Sequence, residues 1–198
     1  TDPKCNNASD GLRNGPGPRG NLQVRFQLLK LSIRMQLLAS DPMSLQCTPL
    51  HQLCRDGGGR MVPFAGWEMP VQFKGLIQEH KAVREQLGMF DISHMGVLRL
   101  EGPDPKSALQ QLVPSDLHRI GPEEASYTVL LNESGGIRDD LIVYDCGAID
   151  AERGALVVVI NAACADSDTA WIRERMEPAG LTVTDIKEDG VLLALQGP

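Results

Sequence analysis

Two apolar, β-branched runs, residues 141–144 and 156–160, flank the polar stretch 145–154. Both read as strands, paired with each other across that stretch. Around them the same signals recur without a regular strand–helix–strand rhythm. Strands are expected over 60–64, 96–100, 127–131, 181–185 and 191–195. Leu76, His80, Val83 and Leu87 are spaced by four, three and four, which predicts a helix over 75–87 closed by Gly88, with His80 on its core face. Thr48-Pro49 reads as an N-cap followed by proline at the first helical position, with that helix ending at Gly57-Gly58-Gly59. Further helices are expected over 104–113 and 165–176, the second capped by Asp166 or Ser167. Residues 132–136 read as a turn. This mixture favours an α+β fold with mixed, largely antiparallel sheets and packed helices over a doubly wound sheet.

Charge divides the chain in two. Residues 1–44 carry six basic and three acidic residues, a net +3, which leaves −10 for the remainder of a chain whose total is −7. Residues 11–20 are rich in Gly, Pro and Asn and read as disordered. Residues 22–38 nearly alternate, with the apolar face switching at Leu28-Leu29, as in one bulged strand or two short pairing strands. The chain opens on Thr1, and Met43 reads as the native start, with 1–42 an artefact of the reading frame. A basic, acid-poor amphipathic leader is also the composition of an organelle transit peptide. The expected division is therefore a disordered or artefactual leader, 1–44, and a folded part, 45–198.

The acidic balance argues against nucleic-acid binding driven by charge. No apolar run is long enough for a membrane span. Five cysteines, an odd number without CxxC spacing, fit a reduced intracellular compartment and no zinc pattern, so no metal site is expected. Dinucleotide, P-loop, zincin, nucleophile-elbow and EF-hand motifs are absent from the sequence. Gly57-Gly58-Gly59 reads as a helix stop rather than an anion cradle. His94 opens a strand and reads as structural.

Asp139-Asp140 precedes the apolar run 141–143. Side chains alternate along a strand, so these two carboxylates do not share a proton with each other. Asp140, Ile142 and Tyr144 fall on one face. An acid aimed into a partly apolar pocket has its pKa raised and handles protons near neutrality. Equally, both acids can cap the Gly135-Gly136 turn. Asn161 ends an apolar strand, where its amide either reads the amide-like edge of a heterocycle or caps the next segment.

Several blocks resemble, in order, the glycine cleavage system T proteins, the aminomethyltransferases. They are Thr48-Pro49-Leu50, residues 61–70 (MVPFAGWEMP), 88–96 (GMFDISHMG), Tyr127-Thr128, Leu131-Asn132-Glu133, 135–144 (GGIRDDLIVY), 159–163 (VINAA) and 194–198 (ALQGP). The resemblance covers about 48–198 and implies the N-terminal portion of the family's multidomain folate-binding fold, with the C-terminal barrel missing. The closing Gly197-Pro198 reads as an interruption where a turn begins. By resemblance, the activity is transfer of an aminomethyl carbon from the lipoyl arm of the H protein to tetrahydrofolate, the co-substrate, giving methylenetetrahydrofolate and ammonia. The resemblance places the essential aspartate at Asp140 and pterin-pocket positions at Met95, Tyr127, Tyr144 and Asn161. It implies a lipoylated H protein as partner. The setting is then a bacterial-type cytoplasm, or a mitochondrial matrix if the leader is a transit peptide. The alternatives are the folate module of a sarcosine- or dimethylglycine-type enzyme, and a non-catalytic fragment.

Overall fold

Antiparallel pairing organises the described residues, 45–198, of the computed structural model. The expectations for residues 1–44, including the strands over 22–38, lie outside them. In chain order the elements are α1 (His51–Asp56), β1 (Met61–Phe64), β2 (Trp67–Pro70), α2 (Leu76–Glu85), β3 (Gly88–Asp91), β4 (Gly96–Gly102), α3 (Pro105–Gln110), β5 (Ala125–Leu131), β6 (Ile137–Ala148), β7 (Gly154–Ile160), α4 (Ala165–Met176), β8 (Thr182–Asp185) and β9 (Leu193–Gln196). Five strands form one sheet in the order β5-β6-β7-β4-β8, every neighbour antiparallel. Two further pairs stand apart from it, the β1–β2 hairpin and the β3–β9 ladder. The fold is thus the α+β arrangement expected from the sequence.

The pleat explains the core. Leu141 and Val143 of β6, Leu156, Val158 and Ile160 of β7, and Leu98 and Leu100 of β4 all point to one face, each at most 2% exposed. Leu109 of α3 and Ile172 and Met176 of α4 close over them. Full burial of one such side chain contributes about 1.5–3 kcal/mol relative to exposure. A buried ion pair adds a polar staple on this face: Lys106 Nζ lies 2.6 Å from Asp145 Oδ2 and also donates to the Ile120 carbonyl at 2.6 Å. Gly96 permits close passage of β4 beneath this layer. A Cβ there would meet Ile160 Cγ1 at 2.6 Å and Ala165 Cβ at 3.3 Å.

Local turn chemistry follows the sequence in several places. Ala65 and Gly66 turn the β1–β2 hairpin with φ of 49° and 83°, the pair of positive values that suits a two-residue hairpin loop. Asn132 Oδ1 accepts from the Ser134 and Gly136 N–H groups and from the Ser134 hydroxyl, tying the turn before β6. Gly57, Gly58 and Gly59 close α1 by donating to the carbonyls of Leu53, Arg55 and Cys54. Glu79 Oε1 accepts from the N–H groups of Phe73, Lys74 and Gly75, and those bonds, the Gly75 one foremost, hold its carboxyl below the usual range.

Four local expectations are corrected. Thr48 does not cap α1, which begins at His51; its hydroxyl instead donates to Asp91 Oδ2 at 2.6 Å, joining the segment before α1 to β3. Neither Asp166 nor Ser167 caps α4, because Ser167 Oγ donates back to the Cys164 carbonyl and Cys164 holds the cap position. His80 is exposed, and no residue of α2 is buried, because β3 reaches only the Val83 end of its apolar side; Leu76 and Ile77 are exposed as well. Finally, β2 and β3 are strands that the sequence pattern did not announce.

Candidate functional site

The second face of the sheet is only partly covered. Val97, Val159 and Leu192 are buried there, with Ile92, Met95, Ile142, Tyr144, Val157 and Ile186 partly buried against them. The alternation that sends Leu141 and Val143 into the core turns Asp140, Ile142 and Tyr144 onto this second face. Tyr127 of β5 stands opposite Ile142 in the register, one diagonal step from Asp140. Asn161 follows the last residue of β7, and Ile160 pairs with Leu141, so its amide arrives at the same end of β6.

These placements converge on one carboxylate. Asp140 Oδ2 accepts from the Tyr127 hydroxyl at 2.8 Å, and Asp140 Oδ1 accepts from Asn161 Nδ2 at 3.0 Å. Asn161 Nδ2 also reaches Asp139 Oδ1 at 2.9 Å and the Asp140 carbonyl at 3.2 Å. The two adjacent acids are thus bridged by an amide and do not face each other. The Asp140 hydrogen bond, burial and the neighbouring carboxylates hold the Tyr127 hydroxyl above its ordinary value, so it remains a donor. Burial pushes the Tyr144 hydroxyl up to about 12.

Of the sequence-derived site residues, Asp140, Tyr127 and Asn161 meet directly. Tyr144 and Met95 stand in the apolar cluster of the same face. His94 is buried beside Phe64, ring centroids 5.6 Å apart and nearly perpendicular, and desolvation lowers its pKa, in keeping with a structural histidine. A cavity of about 220 Å³ lies elsewhere, between Cys47, Trp67, Ser93 and Lys187, and contains none of the five site residues. Tyr127 is 67% exposed, so among the described residues the Asp140 group opens onto a half-apolar surface.

A bulge shapes the edge of this surface. Leu130 pairs with Asp139 and Leu131 with Ile137, so Arg138 is the extra residue on β6. Its guanidinium lies 4.5 Å from the Trp171 ring centroid, with Nε 3.7 Å from Asp168 Oδ1. On the core side of the same bulge, Asp139, Cys164 and Asp168 gather with their ligand atoms within 4.8 Å of one another. The sequence reading missed this group. Its only sequence signal is an acid in the first turn of the helix that follows Asn161. A second cluster, Cys47, His51 and Glu68, is already occupied internally, since Glu68 accepts from His51 at 2.6 Å and from Arg55 at 2.8 Å.

The chain can be set beside known proteins. A family described as GCVT N-terminal domain matches residues 50–198. An aminomethyltransferase of Parasynechococcus marenigrum (strain WH8102) is 88% identical over 156 residues, which cover 79% of this chain and 42% of that protein. An aminomethyltransferase of Prochlorococcus marinus (strain MIT 9303) is 68% identical, again over 79% of this chain and 42% of the relative. The crystal structure of glycine cleavage system aminomethyltransferase T from Bartonella henselae superposes with a TM-score of 0.68 at 36% identity, over 78% of this chain and 41% of that one. The chain therefore spans about two fifths of the length of the relatives it matches.

Proposed function

The chain belongs to the GCVT N-terminal domain family, and on that premise we propose that it supplies the folate-handling part of an aminomethyltransferase. The observation that carries this reading is the Asp140 carboxylate, held on an open sheet face by Tyr127 and Asn161. The substrates are tetrahydrofolate and an aminomethyl group on the lipoyl arm of the H protein. The products are methylenetetrahydrofolate, ammonia and the dihydrolipoyl arm. A bacterial-type cytoplasm is the setting that goes with this reading. The relatives carry the name aminomethyltransferase, which does not favour a sarcosine- or dimethylglycine-type module.

The donor set fits a pterin. A flat, amide-edged ring needs an apolar slab beneath it and polar partners at its rim. Met95, Ile142 and Tyr144 offer the slab, while Asp140 and Asn161 offer the rim. Asp140 accepts from a pterin N–H and orients the ring. Its negative charge favours the nitrogen nucleophile as positive charge develops on it during attack on the aminomethyl carbon. Tyr127 and Asn161 keep each carboxylate oxygen in place, so no reorganisation is needed when substrate arrives. Holding both reactants on one surface makes the encounter effectively unimolecular.

The test is a thermal melt followed by tryptophan fluorescence, with and without tetrahydrofolate under argon. A ligand present at 100 times its Kd stabilises the protein by about 2.7 kcal/mol if it binds only the folded state. An upward shift that Asp140→Asn abolishes is the expected result. A sharp transition that tetrahydrofolate leaves unmoved would overturn the reading.

A further inference from the structure

Asp168 is 1% exposed, and its Oδ2 has no hydrogen-bond partner. Asp139 Oδ2 is likewise buried without a partner. A carboxylate oxygen of each acid lies within 4.8 Å of the other. Two carboxylates this close, each with an unpartnered buried oxygen, cannot satisfy each other, and each orphan costs free energy. One proton satisfies both, because a protonated carboxyl donates where a carboxylate only accepts.

We propose that Asp139 and Asp168 take up a single shared proton, and that Asp168 is thereby a positioning residue for the folate-facing carboxylate of Asp140. The link is a short chain of hydrogen bonds. The proton holds Asp139 toward α4, Asp139 Oδ1 accepts from Asn161 Nδ2, and the same amide nitrogen donates to Asp140 Oδ1. The proposal rests on the folate reading for its consequence, but not for the pair itself.

The surroundings decide how the pair titrates. From β6 it is faced by Arg138, whose Nε is 3.7 Å from Asp168 Oδ1, and, beyond the Asn161 amide, by Asp140. From the turn before α4 it is faced by the Cys164 thiol, which the negative charge of Asp139 pushes up and which therefore stays neutral. From α4 itself, Ser167 Oγ stands 3.4 Å from Asp168 Oδ1. One distant cation and one long hydroxyl contact leave two acids undercompensated. Burial first, then the Asp139 carboxyl, push Asp168 up to about 6. The proton belongs to the pair rather than to either residue. When it leaves, Asp168 repels Asp139, which shares the Asn161 amide with Asp140, and the geometry at Asp140 loosens.

Asp168→Asn mimics the protonated pair at every pH, because its amide donates to Asp139 as the shared proton does. The experiment records the Asn161 side-chain amide and the aspartate carboxyl carbons of the full chain by NMR between pH 4.5 and 8. In parallel, tetrahydrofolate binding is measured by calorimetry at pH 5.5 and 7.5. In the unsubstituted protein, the Asp139 and Asp168 carboxyl carbons are expected to move together with one apparent midpoint, and the Asn161 amide with them. Tetrahydrofolate affinity is expected to fall about fivefold between the two pH values. With Asp168→Asn, the amide stays still and affinity changes less than twofold. Titration of the ligand itself is common to both proteins and cancels in the comparison. A pair that titrates together and moves the amide, with tetrahydrofolate bound by neither protein, supports the pair and overturns the folate reading. An Asp168 that titrates alone in the ordinary carboxylate range, an Asn161 amide indifferent to the pair, or equal pH dependence of affinity in both proteins overturns the proposal.

Discussion

The two faces of the five-stranded sheet are built from the same strands and have opposite fates. One face is closed by α3 and α4 and buries sixteen apolar residues in one cluster; the other buries three. Alternate residues of a single segment of β6 divide between them. Leu141 and Val143 are nearly inaccessible, while Asp140, Ile142 and Tyr144 remain partly open. The closed face carries the stability of the domain, and its neighbour, anchored from behind, is left free to present polar groups. A functional surface on a sheet of this kind needs no rigidity of its own, because each side chain inherits the position of its core-facing neighbour one residue away.

The sharpest way to break this contrast is to cut into the closed face. Leu98→Ala is expected to cost about 2–5 kcal/mol in chemical unfolding. Ile142→Ala, on the open face, is expected to cost roughly half as much or less, since part of that side chain already meets water. Equal losses would deny the division. Next in size, Lys106→Met leaves the buried Asp145 carboxylate without its cation and is expected to lower stability by about 2–3 kcal/mol at pH 7, again by unfolding in urea.

Asp168→Asn tests the boundary between the faces. The folded Asp168 carboxyl holds its proton more tightly, at about 6, than the ordinary 3.8. Its ionisation therefore opposes folding. The penalty is absent below about pH 4, grows as pH rises through the window between those values, and is complete above it. The substitution should raise stability by ~1–2 kcal/mol at pH 7.5 and leave it unchanged at pH 3.5. Thermal melts at both pH values check this, and a gain independent of pH would contradict it. The smallest expected effect is that of Asp140→Asn. Its amide can still meet Tyr127, so unfolding free energy should move by less than about 1 kcal/mol, even as the tetrahydrofolate-dependent shift in melting disappears.

Most of the sheet was legible in the sequence because apolar alternation and burial are the same fact seen twice. The pairing of 141–144 with 156–160 and the shared face of Asp140 and Tyr144 both follow from the two-residue pleat. Legibility stops where the partner is distant or missing. β2 and β3 are four-residue strands, WEMP and GMFD, whose composition carries little strand signal. β3 is a strand because β9, more than a hundred positions away, lies beside it. The spacing of His80 with Leu76, Val83 and Leu87 marks an apolar side truthfully, but β3 covers only its Val83 end and no residue of the helix is buried. Thr48 has the chemistry of a helix cap and spends it on Asp91 instead. The bond from Asn161 to Asp140 spans 21 positions, and Asp168 joins Asp139 only once α4 has folded back across the sheet. Spacing in the chain cannot express either contact, and for Met95 and Tyr127 the sequence offered only the family resemblance.

The β3–β9 ladder has a consequence for the order of events in folding. Ser93 and Leu192 exchange hydrogen bonds across 99 positions, with Leu192 N–H donating to Ser93 Oγ at 3.0 Å. Closing a loop of that length costs about 4 kcal/mol of chain entropy before any contact rewards it. Within the five-stranded sheet, by contrast, the β5–β6 and β6–β7 pairings join neighbouring segments, while β4 waits for β7 and β8. The locally connected strands β5, β6 and β7 should therefore pair first and the ladder last. On a ribosome, β3 would wait as an unpaired edge through the synthesis of about a hundred further residues, and hydrogen exchange should find Met89 and Phe90 opening long before Val143 does.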